Sequence, residues 1–202
     1  MNENIYLELR NFMRTVSDLR TVRRKLKMSD GVYESDADHS WSVTMIFMTL
    51  LPQLRKEFGE SFDALKIMKM VVIHDLPEVI VGDVATWDET TRDGKEEWEL
   101  TAARKIFGLL PSDQGAEMLA LWKEAEAMET IESKIVKSLD RFDPFFKRVV
   151  YGSDFVDISN DKHVALEVYD KYQKERHAFS ETISAMYLGA REEAIGDGRF
   201  VE

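Results

Sequence analysis

The stretch VVIHDLPEVIVGD, residues 71–83, decides how the chain is read. Its aliphatic residues belong to a buried helix, yet His74, Asp75, Glu78 and Asp83 interrupt them. Ionisable groups in apolar surroundings are costly unless they are paired, hydrogen-bonded or bound to a metal. Positions three and four apart share a helix face, so His74, Asp75 and Glu78 can present an imidazole and two carboxylates to one point. Pro77 cannot donate to the carbonyl of Ile73, which predicts a kink or helix change just after the His-Asp pair.

Outward from this stretch the pattern is helical. Apolar residues recur at three- and four-residue spacing over 4–26, and 39–57 is apolar around much of its circumference, as a central helix would be. Gly59 stops that helix, and Ser61 or Asp63 caps the next, which runs through LKIMKMVVIHDL. Further helices are expected at 94–108, 112–126 and 129–150, and twice between 160 and 195. The segments DVATWDETTRDG and GSDFVDISNDK read as loops, and GDGRFVE as a frayed tail. No segment alternates as a strand would. The expectation is an all-α fold forming one domain over residues 1–202.

Composition narrows the functions. The 202 residues are 44% hydrophobic, with only 10 Gly and 4 Pro, which suits a helical domain with a sizeable core. With no cysteine, disulfides and thiolate metal sites are excluded, and a metal would have to use His, carboxylate or water. The net charge of −11 repels phosphate backbones, so no nucleic-acid partner is expected. MNENIYLELRNFMR lacks the apolar centre of a signal peptide and no apolar run approaches about 18 residues. The reading is a soluble cytoplasmic protein without a membrane partner. The basic run RTVRRKLK, residues 20–27, reads by position as a solvated helix end.

Two other stretches carry ionisable groups beside apolar helix faces. His39, in ESDADHSW (34–41), opens the most apolar helix, and Asp140, in IVKSLDRFDPF (135–145), adjoins a stripe of Ile135, Val136, Leu139 and Phe142. A lone histidine there is more often a satisfied core residue than a ligand, and a lone aspartate more often a cap. Three such interruptions in three separate helices point to a shared centre.

The order His39, then His74-Asp75, then Asp140 resembles the H…HD…D signature of the HD-domain superfamily of metal-dependent phosphohydrolases. The blocks ESDADHSW, HDLPEVIVGDV and KSLDRFDP are most similar to those of the HD-domain 5′-deoxynucleotidases, over about residues 15–150. Residues 151–195 would then be a variable C-terminal helical extension. The resemblance implies His39, His74, Asp75 and Asp140 as metal ligands, Glu78 and Asp83 as catalytic carboxylates, and Arg24 near the substrate phosphate. Two imidazoles and two carboxylates suit Mn²⁺, Co²⁺, Fe²⁺ or Zn²⁺, with Mg²⁺ and a second ion left open. Some members place a tryptophan beside that arginine, whereas here the residue is Lys25. Trp87, in the loop after Asp83, either anchors that loop or offers an aromatic face. His163 and His177 read as structural or surface residues, and Trp98 and Trp122, on amphipathic helices, as packing residues.

The implied reaction is metal-dependent hydrolysis of (deoxy)ribonucleoside 5′-monophosphates. The alternatives are an HD phosphohydrolase of triphosphates, cyclic nucleotides or a guanosine alarmone, and a non-catalytic metal-containing nucleotide-binding protein. Dimeric relatives leave a homodimer open.

Overall fold

A computed structural model describes residues 3–28, 30–83, 94–152, 155–157, 162–163 and 166–200. Among these, the elements in chain order are α1 (Glu3–Val16), β1 (Arg23–Lys27), β2 (Tyr33–Ser35), α2 (Asp36–Phe58), α3 (Ala64–Ile73), α4 (Glu78–Val81) and α5 (Lys95–Phe107). They continue with α6 (Ser112–Ala127), α7 (Ile131–Tyr151), β3 (Val156–Asp157), β4 (Lys162–His163), α8 (Leu166–His177) and α9 (Glu181–Gly196). Caps set the limits of the central helices. Ser35 and Asp38 form a reciprocal capping box that opens α2, and Gly59, at φ +63°, closes it by donating to the Arg55 carbonyl. Asp63 accepts from the Lys66 amide at the start of α3, and Thr130 with Ser133 opens α7 in the same way as α2.

Helices α2, α3 and α7 enclose Val43, Phe47, Leu54, Ile67, Val71 and Leu139, all fully buried. An aromatic cluster of Phe142, Phe145, Phe155, Tyr169 and Tyr187 joins α7 to α8 and α9. On the other side, Ile73 and Leu76 pack with Leu19, Ile106, Phe107 and Trp122. Among the described residues helices carry most of the core, and the all-α expectation holds. The break near Pro77 also holds, one step early: α3 ends at Ile73, and His74-Asp75 lies in a turn closed by Leu76 N–H to Ile73 O and Glu78 N–H to Asp75 O.

The N-terminal third departs from the expectation. The helix over 4–26 ends at Val16, a 3-10 turn follows over Ser17–Thr21, and the basic run becomes β1, antiparallel to β2. Arg24 and Leu26 face inward while Arg23, Lys25 and Lys27 face solvent. Only one apolar residue marks that alternation, so the strand is silent in the sequence. In α1, Ile5, Leu9 and Met13 are exposed, and only Phe12 and Val16 reach the core. The C-terminal tail is docked through Phe200, which stacks on Phe155 at 4.3 Å between ring centres. Part of the loop expected over 152–162 forms the β3–β4 pair. No helix among the described residues is long and apolar enough to cross a membrane.

Helix α6 starts against the end of α5 at a glycine. A Cβ on Gly115 would fall well inside contact distance of the Phe107 carbonyl oxygen, whereas one on exposed Gly189 in α9 meets nothing. Gly115→Ala should cost about 1–3 kcal/mol and lower Tm by several degrees, at about 2–4 °C per kcal/mol for this size. Gly189→Ala should hold or raise Tm, by about 0.5–1 kcal/mol of helix preference. Thermal melts of the two variants decide it.

Candidate metal centre

Three elements deliver the centre: α2 brings His39, the turn after α3 brings His74 and Asp75, and α7 brings Asp140. His39 and His74 are buried, with ring centres 5.5 Å apart. His74 Nδ1 lies 2.7 Å from the Val71 carbonyl oxygen, which only accepts, so Nδ1 carries the proton. Nε2 is then a lone pair. It is buried without a hydrogen-bond partner, 3.2 Å from Asp75 Oδ1 and 3.8 Å from Asp140 Oδ1. His39 repeats the arrangement: Nδ1 is 2.7 Å from Asp143 Oδ2, and Nε2 faces Asp140 Oδ1 at 3.0 Å and Asp75 Oδ2 at 3.8 Å.

A nitrogen lone pair aimed at a carboxylate oxygen is repelled unless a positive charge lies between them. One such charge is a proton. Burial and Arg24 push the His39 pKa down, but Asp140 and Asp143 outweigh them and carry it up to about 9. Burial likewise opposes the charge on Asp140, and the hydrogen bond with His39 together with the neighbouring His74 ring holds it well below the ordinary carboxylate range. The other such charge is a metal ion. One atom each of His39, His74 and Asp140 lie within 4.8 Å of one another, and Asp75 adjoins both rings. This donor set fits a divalent ion of the Mn²⁺-to-Zn²⁺ series.

Beside the cluster lies a second group of acids. Glu78, at the start of α4, is buried, with Oε2 unpartnered. Burial, followed by the charges of Asp75, Asp36 and Asp83, raises its pKa well above normal, against the pull of Arg24. Asp36 is fully buried and shares a hydrogen bond with Glu78; burial and Asp75 push it up to about 6. Asp83 is half-buried, and burial raises its pKa while Arg24 opposes the rise. Arg24 reaches in from β1, its Nη1 3.2 Å from Asp75 Oδ2 and 3.5 Å from Asp36 Oδ1. Burial disfavours its charge, but Asp75, Asp140, Asp83 and Glu78 more than restore it.

A family model described as HD domain matches residues 16–184. The chain belongs to the HD-domain family. Among HD-domain relatives, the 5′-deoxynucleotidase HDDC2 of Dictyostelium discoideum is 34% identical over 149 residues, 72% of this chain and 77% of the relative. The 5′-deoxynucleotidase HDDC2 of Homo sapiens is 28% identical over 165 residues, 80% and 75% of the two chains. A crystal structure described as a predicted metal-dependent phosphohydrolase from Magnetospirillum magnetotacticum superposes with a TM-score of 0.82 at 28% identity, over 98% of this chain and 100% of that one. An HD-domain phosphohydrolase from Listeria innocua, at 19% identity and a TM-score of 0.64, shares the fold over 94% and 88% of the two chains.

Four charged residues of this HD-domain site escaped the sequence reading: Glu34, Asp36, Asp143 and Lys147. Asp36 stands three before His39, and Asp143 three after Asp140, so helical spacing alone could have flagged both. The Trp122 indole, expected only to pack, also donates to the His74 carbonyl at 3.0 Å and braces the turn. Trp98, expected to pack, is exposed. His177 is buried and bonded to Gln173, a structural role as expected. The side chain of His163 and the whole of Trp87 lie outside the described residues.

The shifts have a pH signature. Asp36 and Glu78 bind protons more tightly folded than unfolded, so their stabilisation, full below about pH 4, is lost as pH rises through about 6 and above. Protonated His39 adds stability that is lost between about pH 6.5 and about 9. Asp140 and Asp143 act in the opposite sense, but their contribution is lost only below about pH 4. Metal-free protein should therefore melt higher at about pH 5.5 than at about pH 8. Mn²⁺ should add more to Tm at the higher pH, because ligation displaces those protons. Calorimetry showing equal metal-induced shifts at both values would contradict that exchange.

Proposed function

We propose that this HD-domain protein is a divalent-metal phosphomonoesterase that hydrolyses deoxyribonucleoside 5′-monophosphates to nucleoside and phosphate. The observation that carries this reading is the unpartnered His74 Nε2 facing Asp75 and Asp140, with Arg24 and Glu78 alongside. The substrate class is supported by relatives named 5′-deoxynucleotidases that match 72–80% of the chain. The match as far as residue 184 supports treating the chain as one domain rather than a core with an appendage.

In this reading His39, His74, Asp75 and Asp140 hold the ion, with Mn²⁺, Co²⁺, Fe²⁺ and Zn²⁺ suited to the donors. When bound there, such an ion would neutralise phosphate charge and lower the pKa of a water. Arg24, kept charged by the surrounding carboxylates, offers a planar fork to the phosphate oxygens. Glu78, whose pKa is raised by burial and by Asp75, Asp36 and Asp83, donates to the departing 5′ oxygen. Asp83, more exposed, orients the attacking water and takes its proton. Lys25 does not supply the missing tryptophan face, because strand alternation turns it away from Arg24.

Phosphate release from deoxy- and ribonucleoside 5′-monophosphates, 3′-monophosphates, triphosphates and cyclic nucleotides, with each metal restored, tests the reading. Release is expected from 5′-monophosphates and not from Asp75→Ala protein; turnover confined to another class would overturn the substrate assignment. Glu78→Gln should lower kcat by about 10²–10⁴ with metal affinity little changed. Arg24→Lys should raise KM more than it lowers kcat.

A further inference from the structure

Lys147 is a buried lysine that the reaction above does not use. A lysine is almost never buried unless paired, and this one is paired twice. On α7 it stands one turn beyond Asp143, with Nζ 2.9 Å from Asp143 Oδ2. The same Nζ bonds Glu34 Oε1, on β2, from 113 residues away. Each carboxylate then touches a site residue. Asp143 Oδ2 is the 2.7 Å partner of His39 Nδ1, and its Oδ1 accepts from Ser42 Oγ at 2.5 Å. Glu34 Oε2 lies 3.7 Å from Arg24 Nε, an ion pair too long to be a hydrogen bond. Charge thus alternates from Arg24 through Glu34 and Lys147 to Asp143, which holds His39 Nδ1.

We propose that Lys147 is a positioning residue that fixes both carboxylates at once, Asp143 behind His39 and Glu34 behind Arg24, and so couples metal affinity to phosphate binding. Without the ammonium, two fully buried carboxylates are left with ligand atoms within 4.8 Å of each other. Like charges so placed either part or share a proton. In both cases Asp143 no longer fixes the direction of the His39 ring, and Glu34 no longer fixes the Arg24 fork. Partners that orient a metal-ligating histidine typically govern about ten- to hundredfold in metal affinity. The Arg24 half rests on the proposed function; the His39 half needs no substrate.

The test is Mn²⁺ titration of metal-stripped protein against a chromogenic chelator, followed by kinetics on deoxyadenosine 5′-monophosphate at saturating metal. Lys147→Met should weaken Mn²⁺ binding by about ten- to hundredfold and raise KM severalfold, with kcat changed less. Lys147→Arg, which keeps the charge, should recover most of both losses. If Lys147→Met does not fold, Glu34→Gln with Lys147→Met removes the buried pair together and should still bind Mn²⁺ at least several-fold more weakly than Glu34→Gln alone. Wild-type Mn²⁺ affinity in these variants, even with a lowered Tm, would reduce Lys147 to a structural lysine and overturn the proposal. Weakened metal binding with unchanged KM would overturn the coupling to Arg24. Wild-type protein inactive on the monophosphate would defeat the functional reading, while the metal titration would still decide the His39 half.

Discussion

Two buried imidazole lone pairs aimed at carboxylate oxygens form an arrangement that costs free energy until a positive charge enters it. The protein cannot relax the arrangement, because the residues that create it also build the core. Val71 packs in the core of α2, α3 and α7, and its carbonyl accepts the hydrogen bond from His74 Nδ1–H, which fixes the tautomer. Val43, one turn after His39, and Leu139, next to Asp140, are fully buried in the same cluster. Apolar packing thus supplies the force that holds the polar groups in their unfavourable poise.

Charge around the site is unbalanced in the same direction. Glu34, Asp36, Asp75, Glu78, Asp83, Asp140 and Asp143 are opposed by the cations Arg24 and Lys147, with Lys137 acting on Asp140 and Lys95 on Asp83. The excess is met partly by protons: the pKa values of Asp36 and Glu78 are raised, while Asp140, bonded to His39 and beside His74, is held low. A divalent cation would meet the rest. The placement of Arg24 on a strand rather than a helix matters here: alternation sends it inward alone while its basic neighbours remain in solvent.

What the sequence made legible followed local rules. Helices α2, α3, α5, α6 and α7 announced themselves by periodicity and caps, with boundaries within a few residues, and the His-Asp turn by its proline; α8 and α9 were expected only as two helices between 160 and 195, and the short α4 not at all. The centre could be anticipated from three polar interruptions in apolar helices, and the structure brings those residues together. What stayed hidden depended on distance or on weak local pattern. One leucine among four basic residues cannot declare a strand, and α1 shows a helical spacing of Ile5, Leu9 and Met13 that faces solvent. The Lys147–Glu34 pair joins residues far apart in the chain, and neither has a local signal that names the other.

The C-terminus separates two kinds of border. The family match stops within the first turn of α9, yet Tyr187, Ala190 and Ala194 beyond it are buried against α7 and α8. Further on, Arg199 Nη1 donates to the carbonyls of Arg148 and Val149 at 2.8 and 2.7 Å, closing the last turn of the helix that carries Asp140, Asp143 and Lys147. A chain trimmed to the shared region would keep every ionisable group of the site and lose the seal on the helix that presents three of them. The family match and the packed fold therefore end at different residues here, because the tail beyond residue 184 still caps that helix.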